Sequence, residues 1–202
     1  MSFGVGKNPE DVRRARERLI TRASLKSIIF MDQSHSSVVC EVDSQSFEVK
    51  ADGIITQEKD VGLAVLAADC TPLLLKGSKY VGAVHVGRKG MELQIASRAI
   101  EMMRAGGEDR IEAIIGPAIC GRCYEVSPQM YEEISGRIPA SATSHEKRCL
   151  DIKSALKHEL KSLNVNSHDV NICTLEDTHY FSHRRSLRDG EVEGRQVGVI
   201  SL

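Results

Sequence analysis

The sequence predicts an α+β fold in one domain, with a mixed β-sheet core flanked by helices. Short apolar runs typical of buried strands alternate irregularly with segments whose apolar residues recur at helical spacing. Several of these strands follow one another early in the chain, and no internal repeat or long linker divides it. A hydrophobic fraction of 41% in 202 residues supports one good core, so residues 1–202 are expected to form a single domain.

Four helices are predicted from apolar periodicity and capping residues. The first covers residues 9–22, because Asn8 is a suitable N-cap and Pro9 suits the first helical position. In a later helix Ser127 is the expected N-cap, and Gly136 is expected just beyond its end. The three later helices lie in "MELQIASRAIEMMRAGG", "SPQMYEEISG" and "DIKSALKHELKSL".

The predicted strands are short apolar stretches bounded by turn residues. The run "GLAVLAAD" is continuously apolar, which is typical of a strand buried on both faces. The segments "PLLLKG" and "YVGAVHVG" are expected to form a pair around the turn "KGSK". The remaining predicted strands are "SIIFMD", "SSVVCEV", "RIEAIIG", "DVNICT" and "RQVGVISL".

Charge and composition argue against several classes of partner. The net charge of −1 gives no strong field for nucleic acid, and no apolar stretch is long enough to cross a bilayer. The N-terminal segment turns polar at once, so neither a signal peptide nor a membrane anchor is predicted, and the cytoplasm is the expected location. The six cysteines are therefore expected to be thiols or metal ligands and not a disulfide framework.

Three residues at or near the ends of predicted strands suggest a metal site: His35, Cys70 and His85. Two imidazoles and a thiolate suit Zn²⁺ better than copper, and three protein ligands leave a fourth position for water or substrate. On spacing alone the signal is weak, and the favoured interpretation is that His35 is a surface loop residue and Cys70 a small buried hydrophobe.

The motifs "DQSH", "ADCTPLLL", "AVHVGRKG", "IGPAICGRCYEV", "CLDI" and "CTLEDTHYFSHRRSLRDGEVEGRQVGVI" resemble the YfiH/YlmD-type family along nearly the whole chain. This family was once described as multicopper polyphenol oxidase or laccase-domain proteins and is now described as purine nucleoside phosphorylase. The resemblance implies a relation to the cysteine-hydrolase-like fold of the cytotoxic necrotizing factor type. It also implies adenosine deaminase and methylthioadenosine phosphorylase activities, with purine nucleosides and phosphate as partners.

Carried over by position, the family's zinc ligands fall on His35, Cys70 and His85, and the ion would bind a phosphate oxygen or activate water. Asp69 would relay a proton or bond a ligating imidazole, unless it is a turn residue at a strand end. The cations expected to contact phosphate, each of which could instead be an ordinary surface residue, are Lys89, Arg184, Arg185 and Arg195.

Two departures from the family pattern bear on activity. After the histidine of the "AVHVGRKG" motif, the family's Trp is replaced by Arg88, which removes a flat apolar surface. The family's Arg is replaced by Lys89, which can attract phosphate as a point charge but cannot bind it in a bidentate manner. The chain also starts just after a family segment that contains an Arg-x-Gly-Gly-type stretch. If that segment supplies only an edge strand, the fold would survive with a more exposed edge.

A second set of cysteines has two interpretations. Cys120 and Cys123 form a C-x-x-C pair, and with Cys149 and Cys173 they could build a structural zinc site, although unlinked thiols are the favoured interpretation. Of the remaining histidines, His183 is a minor site candidate. Four others have no persuasive partner in the sequence: His145, His158, His168 and His179.

Three rival functions are considered. A true laccase is set aside, because the sequence has no His-x-His pair. A cysteine hydrolase would use Cys70 as nucleophile and His85 as base, which could perform deamidation but leaves His35 without a role. A catalytically weakened binding or scaffold protein would fit the changes at Arg88 and Lys89. The oligomeric state, monomer or homodimer, stays open.

Overall fold

The strands form two sheets in the computed structural model, which describes residues 8–47, 49–143 and 147–202. Within these residues the larger sheet has six strands and the smaller has three. In spatial order the larger sheet contains β2 (Val39–Glu41), β3 (Gly53–Thr56), β6 (Val81–Val86), β5 (Thr71–Lys76), β7 (Glu112–Ile115) and β8 (Asn166–Asp169). The smaller contains β1 (Ser27–Phe30), β4 (Val61–Ala67) and β9 (Gln196–Ile200).

Both sheets are mixed, as the sequence predicts. In the smaller sheet β4 pairs in parallel with β1 and antiparallel with β9. In the larger sheet β5 and β6 form the predicted antiparallel pair, and parallel pairs lie at both edges. The mixed α+β prediction is therefore confirmed.

Helices cover one face of the larger sheet, and the smaller sheet covers the other. Side chains such as Leu63, Val65 and Ile54 fill the space between the sheets. Leu73 and Ile115 pack against the helical layer on the opposite face. Burial of each such side chain stabilises the fold by roughly 1.5–3 kcal/mol, so apolar packing on both faces of the larger sheet contributes to stability. The helices are α1 (Pro9–Ala23), α2 (Arg88–Glu92), α3 (Ile95–Ala105), α4 (Pro128–Arg137), α5 (Ile152–Ser162) and α6 (His183–Asp189).

Local sequence signals account for much of this arrangement. Asn8 caps α1 by accepting a hydrogen bond from the backbone N–H of Glu10 at 3.0 Å, and Ser127 caps α4. Every residue of β4 is buried, as its continuous apolar run indicates. No helix among the described residues is long and apolar enough to cross a membrane.

Several predicted boundaries are wrong. The helix predicted in residues 91–107 is interrupted at Gln94, which adopts a left-handed conformation, so α2 and α3 are separate. Gly136 lies inside α4, which ends only at Arg137 because Pro139 disfavours helical geometry at the residue before it.

The edge strand β8 was also misplaced, since the sequence predicts it in "DVNICT". The strand instead ends at Asp169, and the segment that follows forms an isolated bridge at Cys173. Neither β3 nor α6 was predicted. His145 lies outside the described residues.

Candidate metal centre

Strand register brings the first part of the site together. In the β3–β6 pair Gly53 lies opposite Val84, which places Asp52 beside His85. The backbone N–H of His85 donates a hydrogen bond to the carbonyl of Asp52 at 2.7 Å. On the other side of β6, Pro72 lies opposite His85, so Cys70 reaches the same end of the sheet.

His35 arrives from a loop after β1, and the carboxylate of Asp52 shapes that loop. It accepts the backbone N–H groups of Ser34, His35 and Ser36 at 3.1, 3.0 and 2.6 Å. His35 adopts a left-handed conformation with φ of 60°. A single buried carboxylate therefore determines where the His35 side chain points.

The three predicted ligands converge. One donor atom from each of His35, Cys70 and His85 lies within 4.8 Å of the others. The Nε2 atom of His35 is 3.5 Å from the sulfur of Cys70. His85 is buried, Cys70 is half-buried and His35 is exposed, so the group faces solvent on one side. We call these three residues the metal centre.

Asp52 also orients the ring of His85, a role that sequence reasoning missed. Its Oδ1 atom lies 2.8 Å from Nδ1 of His85, and both side chains are at least 95% buried. With Nδ1 bonded to a carboxylate, Nε2 keeps its lone pair for a metal ion, an arrangement common around ligating histidines. The available signal was an acidic residue directly before the apolar stretch "GIIT".

Electrostatics favour a charged thiol at this site. Burial raises the pKa of Cys70, but hydrogen bonds and charge from His35 and His85 outweigh it and lower that pKa to about 6. Burial lowers the pKa of His85, but the bonds to Asp52 and Cys70 raise it to about 9. Burial likewise opposes ionisation of Asp52, yet its bonds to His85 and Ser36 lower the pKa of this carboxyl. The metal-free pair is therefore a thiolate beside an imidazolium at neutral pH.

Gly87, just after β6, leaves room for the ligands. A Cβ atom at this position would lie 2.8 Å from Cδ2 of His35 and 3.1 Å from the sulfur of Cys70. The first distance is shorter than side chains tolerate, so glycine is required for the close approach of the His35 ring.

The donor set fits zinc. Two imidazole nitrogens and one sulfur match the borderline-soft character of Zn²⁺, and three ligands leave one tetrahedral position open. The three side chains line a cavity of about 480 Å³, which is within the range of roughly 300–1,000 Å³ typical of ligand pockets. Besides the metal centre, its lining includes Gln33, His183 and Arg195.

The carboxylate of Asp69 bonds neighbouring segments of the chain and not an imidazole of the metal centre. Its Oδ1 accepts the hydroxyl hydrogen of Thr174 at 2.8 Å, and its Oδ2 accepts the backbone N–H of Arg184 at 2.8 Å. The carboxylate that bonds a ligating imidazole is Asp52. Asp69 instead ties the Cys70 loop to the loop before α6 and to the start of that helix.

Two residues near the C-terminal end of the described chain join the metal centre at the cavity. His183 lies in its lining, with Nδ1 bonded to Glu193 at 2.9 Å. Arg195 was a predicted phosphate contact and also lines the cavity, where it pairs with Glu193 at 2.9 Å. The location of His183 in the cavity lining therefore makes it a better candidate for a functional residue than the sequence indicated.

The other three predicted phosphate contacts lie outside this cavity. Arg184 stacks over the ring of Tyr124 at 4.7 Å and lines a neighbouring depression with Arg88. Lys89 is exposed in the first turn of α2. The guanidinium of Arg185 is buried and donates to the carbonyls of Thr174, Leu175 and Tyr180 and to Glu191, so its geometry is that of a structural residue.

A family model described as multi-copper polyphenol oxidoreductase laccase matches residues 1–202. The chain belongs to this family. Among curated relatives, "Purine nucleoside phosphorylase ORF3" of Streptomyces griseus is 38% identical, over 94% of this chain and 82% of the relative. A protein of Corynebacterium glutamicum, also named purine nucleoside phosphorylase, is 35% identical over 98% of this chain and 84% of its own length.

Two solved structures similar to this chain confirm the fold. The hypothetical protein YfiH of Bacillus licheniformis superposes with a TM-score of 0.87 at 26% identity, covering 100% of this chain and 84% of that protein. A Neisseria meningitidis protein gives a TM-score of 0.86 at 27% identity, covering 100% and 85%. The resemblance to the YfiH-type family predicted from the motifs is thus confirmed.

Proposed function

We propose that this chain is a zinc-dependent purine nucleoside phosphorylase of the cytoplasm, which also deaminates adenosine and phosphorolyses methylthioadenosine at the same site. The observation that supports this most is the convergence of the metal centre on a cavity that also holds a histidine and an arginine. Relatives that match nearly the whole chain carry the name purine nucleoside phosphorylase.

His35, Cys70 and His85 would hold the ion, with Asp52 fixing the orientation of the His85 ring. When bound, zinc would supply a Lewis acid with one open position for an oxygen of phosphate or water. The thiolate character of Cys70 favours uptake of the ion, because cysteine binds metal in its deprotonated form.

Phosphorolysis places two demands on the chain. A phosphate oxygen forms a bond to C1′ of the ribose while the bond from C1′ to the purine nitrogen breaks. The electron pair of the broken bond leaves with the purine, which takes up a proton, and the products are ribose 1-phosphate and the free base. A cation must therefore hold phosphate, and a proton donor must face the leaving base.

Two cavity residues suit these roles. We assign phosphate binding to Arg195. We assign proton donation to the doubly protonated ring of His183, whose Nε2–H would face the leaving base while Nδ1–H donates to Glu193. Arg184, in the depression beside Tyr124, is a second candidate for phosphate and Lys89 a third.

The proposal is tested by incubating zinc-loaded protein with adenosine, inosine and methylthioadenosine, each with and without phosphate. With phosphate, adenosine and inosine should give the free base plus ribose 1-phosphate, and methylthioadenosine should give adenine plus 5-methylthioribose 1-phosphate. Without phosphate, adenosine should give inosine plus ammonia. His35→Ala and Cys70→Ala should abolish both, while Cys40→Ser, a change on β2, should retain them. Absence of turnover for all three nucleosides would overturn the proposal and favour the scaffold alternative.

A cysteine hydrolase is the second candidate, because the structure adds a third member to the predicted pair. Asp52, His85 and Cys70 form a carboxylate–imidazole–thiolate chain of the kind used for nucleophilic catalysis. The predicted relation to the cytotoxic necrotizing factor type of fold would agree with this alternative. It requires that metal removal preserve activity and that a thiol-specific alkylating agent abolish it, whereas the phosphorylase proposal requires that chelation abolish it.

Multicopper oxidation is not proposed, despite the name of the family. Imidazole is the principal copper ligand, and the sequence contains no His-x-His pair. Two clusters of metal-ligand side chains occur among the described residues, and histidine is found in one of them.

A further inference from the structure

Two tight turns lie against each other, and residues beside them bond Asp69, which directly precedes Cys70. The first runs from Cys120 to Cys123, whose N–H donates to the carbonyl of Cys120 at 2.9 Å. The second runs from Cys173 to Glu176 and is closed one residue later, where the N–H of Asp177 donates to the carbonyl of Cys173 at 2.9 Å. Each turn thus presents two ligand-type side chains separated by two residues.

Backbone hydrogen bonds hold the two turns together. The N–H of Ala118 donates to Ile172 at 3.2 Å, and the N–H of Thr174 donates to Ala118 at 3.1 Å. This short bridge aligns the turns side by side, so their ligand-type side chains point into a common space. We call the resulting group the thiol cluster; it consists of Cys120, Cys123, Cys173 and Glu176.

The donor atoms of the thiol cluster lie within 4.8 Å of one another. The sulfur of Cys123 is 3.4 Å from Oε1 of Glu176, and the backbone N–H of Cys120 donates to the sulfur of Cys173 at 3.4 Å. Sulfurs bound to one tetrahedral zinc at about 2.3 Å would be about 3.8 Å apart. The observed spacing therefore needs only small side-chain adjustments to accept an ion.

We propose that the thiol cluster binds a structural metal ion of the zinc class. Three thiolates and one carboxylate supply four ligands, which fills a tetrahedral shell and leaves no position for substrate. Thiolate ligands select soft or borderline ions over Mg²⁺ or Ca²⁺. Arg122, whose guanidinium lies 3.4 Å from Glu176, offsets part of the excess negative charge.

The sequence suggested four cysteines for such a site, and the structure changes the fourth ligand. Cys149 donates its S–H to the carbonyl of Arg122 and is not part of the thiol cluster. Glu176 takes its place, three residues after Cys173, so the second half of the motif is C-x-x-E. This is why no second C-x-x-C was found.

The proposed ion would brace the metal centre. Ile119, next to Cys120, donates its N–H to the carbonyl of Asp69 at 2.9 Å, and Thr174, next to Cys173, bonds the Asp69 carboxylate. Asp69 directly precedes the ligand Cys70. Joining the two turns through one ion would thus fix both residues that position this loop.

Metal content measured on reduced protein tests the proposal. After zinc loading and gel filtration with a thiol reductant present, mass spectrometry should find two zinc ions per chain. His35→Ala and Cys123→Ser should each retain one, and their combination none. Cys40→Ser is the matched control for loss of a thiol and should retain two.

The outcomes separate this proposal from that of the metal centre. One ion that is lost in Cys123→Ser and kept in His35→Ala would support the thiol cluster and overturn zinc at the metal centre. One ion that is lost in His35→Ala and kept in Cys123→Ser would overturn the proposal that the thiol cluster binds metal. A Cys120–Cys123 disulfide that persists in the reduced preparation would overturn it as well.

Glu176 provides variants that should leave folding intact, because its side chain is 50% exposed. Glu176→Gln should weaken zinc binding at the thiol cluster more than about tenfold, since even loss of an outer partner of a ligand has such an effect. Glu176→Cys completes a four-thiolate set and should restore tight binding. In the cobalt-loaded His35→Ala protein, Glu176→Cys should also strengthen the thiolate-to-cobalt absorption in the near ultraviolet. Unchanged zinc affinity and unchanged absorption in both variants would contradict a role for Glu176.

Discussion

The metal centre and the thiol cluster show how neighbouring groups decide the chemistry of a cysteine. At the metal centre, two imidazoles overcome the effect of burial and lower the pKa of Cys70 to about 6. In the thiol cluster, burial together with the nearby Cys120 and Glu176 raises the pKa of Cys123. Imidazole neighbours thus favour the thiolate form of one cysteine, whereas burial is the main reason that the neutral form of the other is favoured.

The two groups also differ in how they are supported. The metal centre is built at strand ends, and its rings and backbone are fixed by the buried carboxylate of Asp52. The thiol cluster is built on two turns, and its donors range from the buried Cys173 to the exposed Glu176. We therefore expect the metal centre to depend strongly on residues around its ligands and the thiol cluster to depend mainly on the ligands themselves.

The largest effect should come from Asp52→Asn, which removes the buried charge opposite His85. We expect zinc affinity of the metal centre to fall about 10- to 100-fold and the free energy of unfolding to fall by about 3 kcal/mol. Zinc titration and urea denaturation measure the two effects. Asp60→Asn, at an exposed surface pair, is the control and should change neither. A wild-type zinc affinity in Asp52→Asn would show that Asp52 does not support the metal centre.

Gly87→Ala should have the next largest effect, because its Cβ atom would displace the ring of His35. We expect about tenfold weaker zinc binding at the metal centre and unchanged binding at the thiol cluster, measured by zinc titration. Gly136→Ala is the matched control, since a Cβ atom there has no neighbour within 4 Å. That control should stabilise α4 by roughly 0.5–1 kcal/mol.

Alkylation of metal-free protein should distinguish the thiols directly. Because the thiolate is the nucleophile and the folded-state pKa of Cys70 is lowered, its rate should rise with pH to a midpoint near 6 and stay high above it. Cys123, with a raised pKa, should stay slow through neutral pH. Peptide mapping after iodoacetamide treatment measures both rates. A Cys70 midpoint near 8.5, the value of a free thiol, would refute the imidazole effect.

The smallest effects should come from the phosphate candidates. Arg195→Ala should raise KM for phosphate about tenfold with little change for the nucleoside, because Arg195 lines the cavity. Lys89→Ala should raise it less, since Lys89 is exposed on α2. Steady-state kinetics at varied phosphate concentration measure the KM for phosphate in both variants. A larger increase in Lys89→Ala would indicate that phosphate binds near the start of α2 and not at Arg195.

Sequence reasoning recovered features encoded in short stretches of chain. The cap at Asn8 and the buried run of β4 are local signals, and both predictions are confirmed. It missed β3, because "GIIT" is too short for periodicity to identify. It also misplaced β8, whose residues "NSHD" are mostly exposed and polar at the edge of the sheet.

The sequence was sufficient to predict which three side chains converge, but it did not reveal the residues that support them. His35, Cys70 and His85 have side chains whose chemistry marks them in the sequence. Asp52 supports the site because strand register places it beside His85, and Gly87 does so because it leaves space for the ring of His35. Both relations depend on the fold and are not visible in the sequence. Glu176 joins the thiol cluster for the same reason, since nothing in "CTLEDT" distinguishes it from its acidic neighbour Asp177.

The three ligands of the metal centre all lie within residues 35–85, whereas the cavity walls that include His183 and Arg195 follow about a hundred residues later in the chain. During synthesis, the ribosome therefore releases every ligand well before those walls exist. Because Ile119 and Thr174 hold Asp69, directly before Cys70, the three side chains reach their final geometry only after these later segments have folded, and a nascent chain that ends at residue 85 carries all three without it.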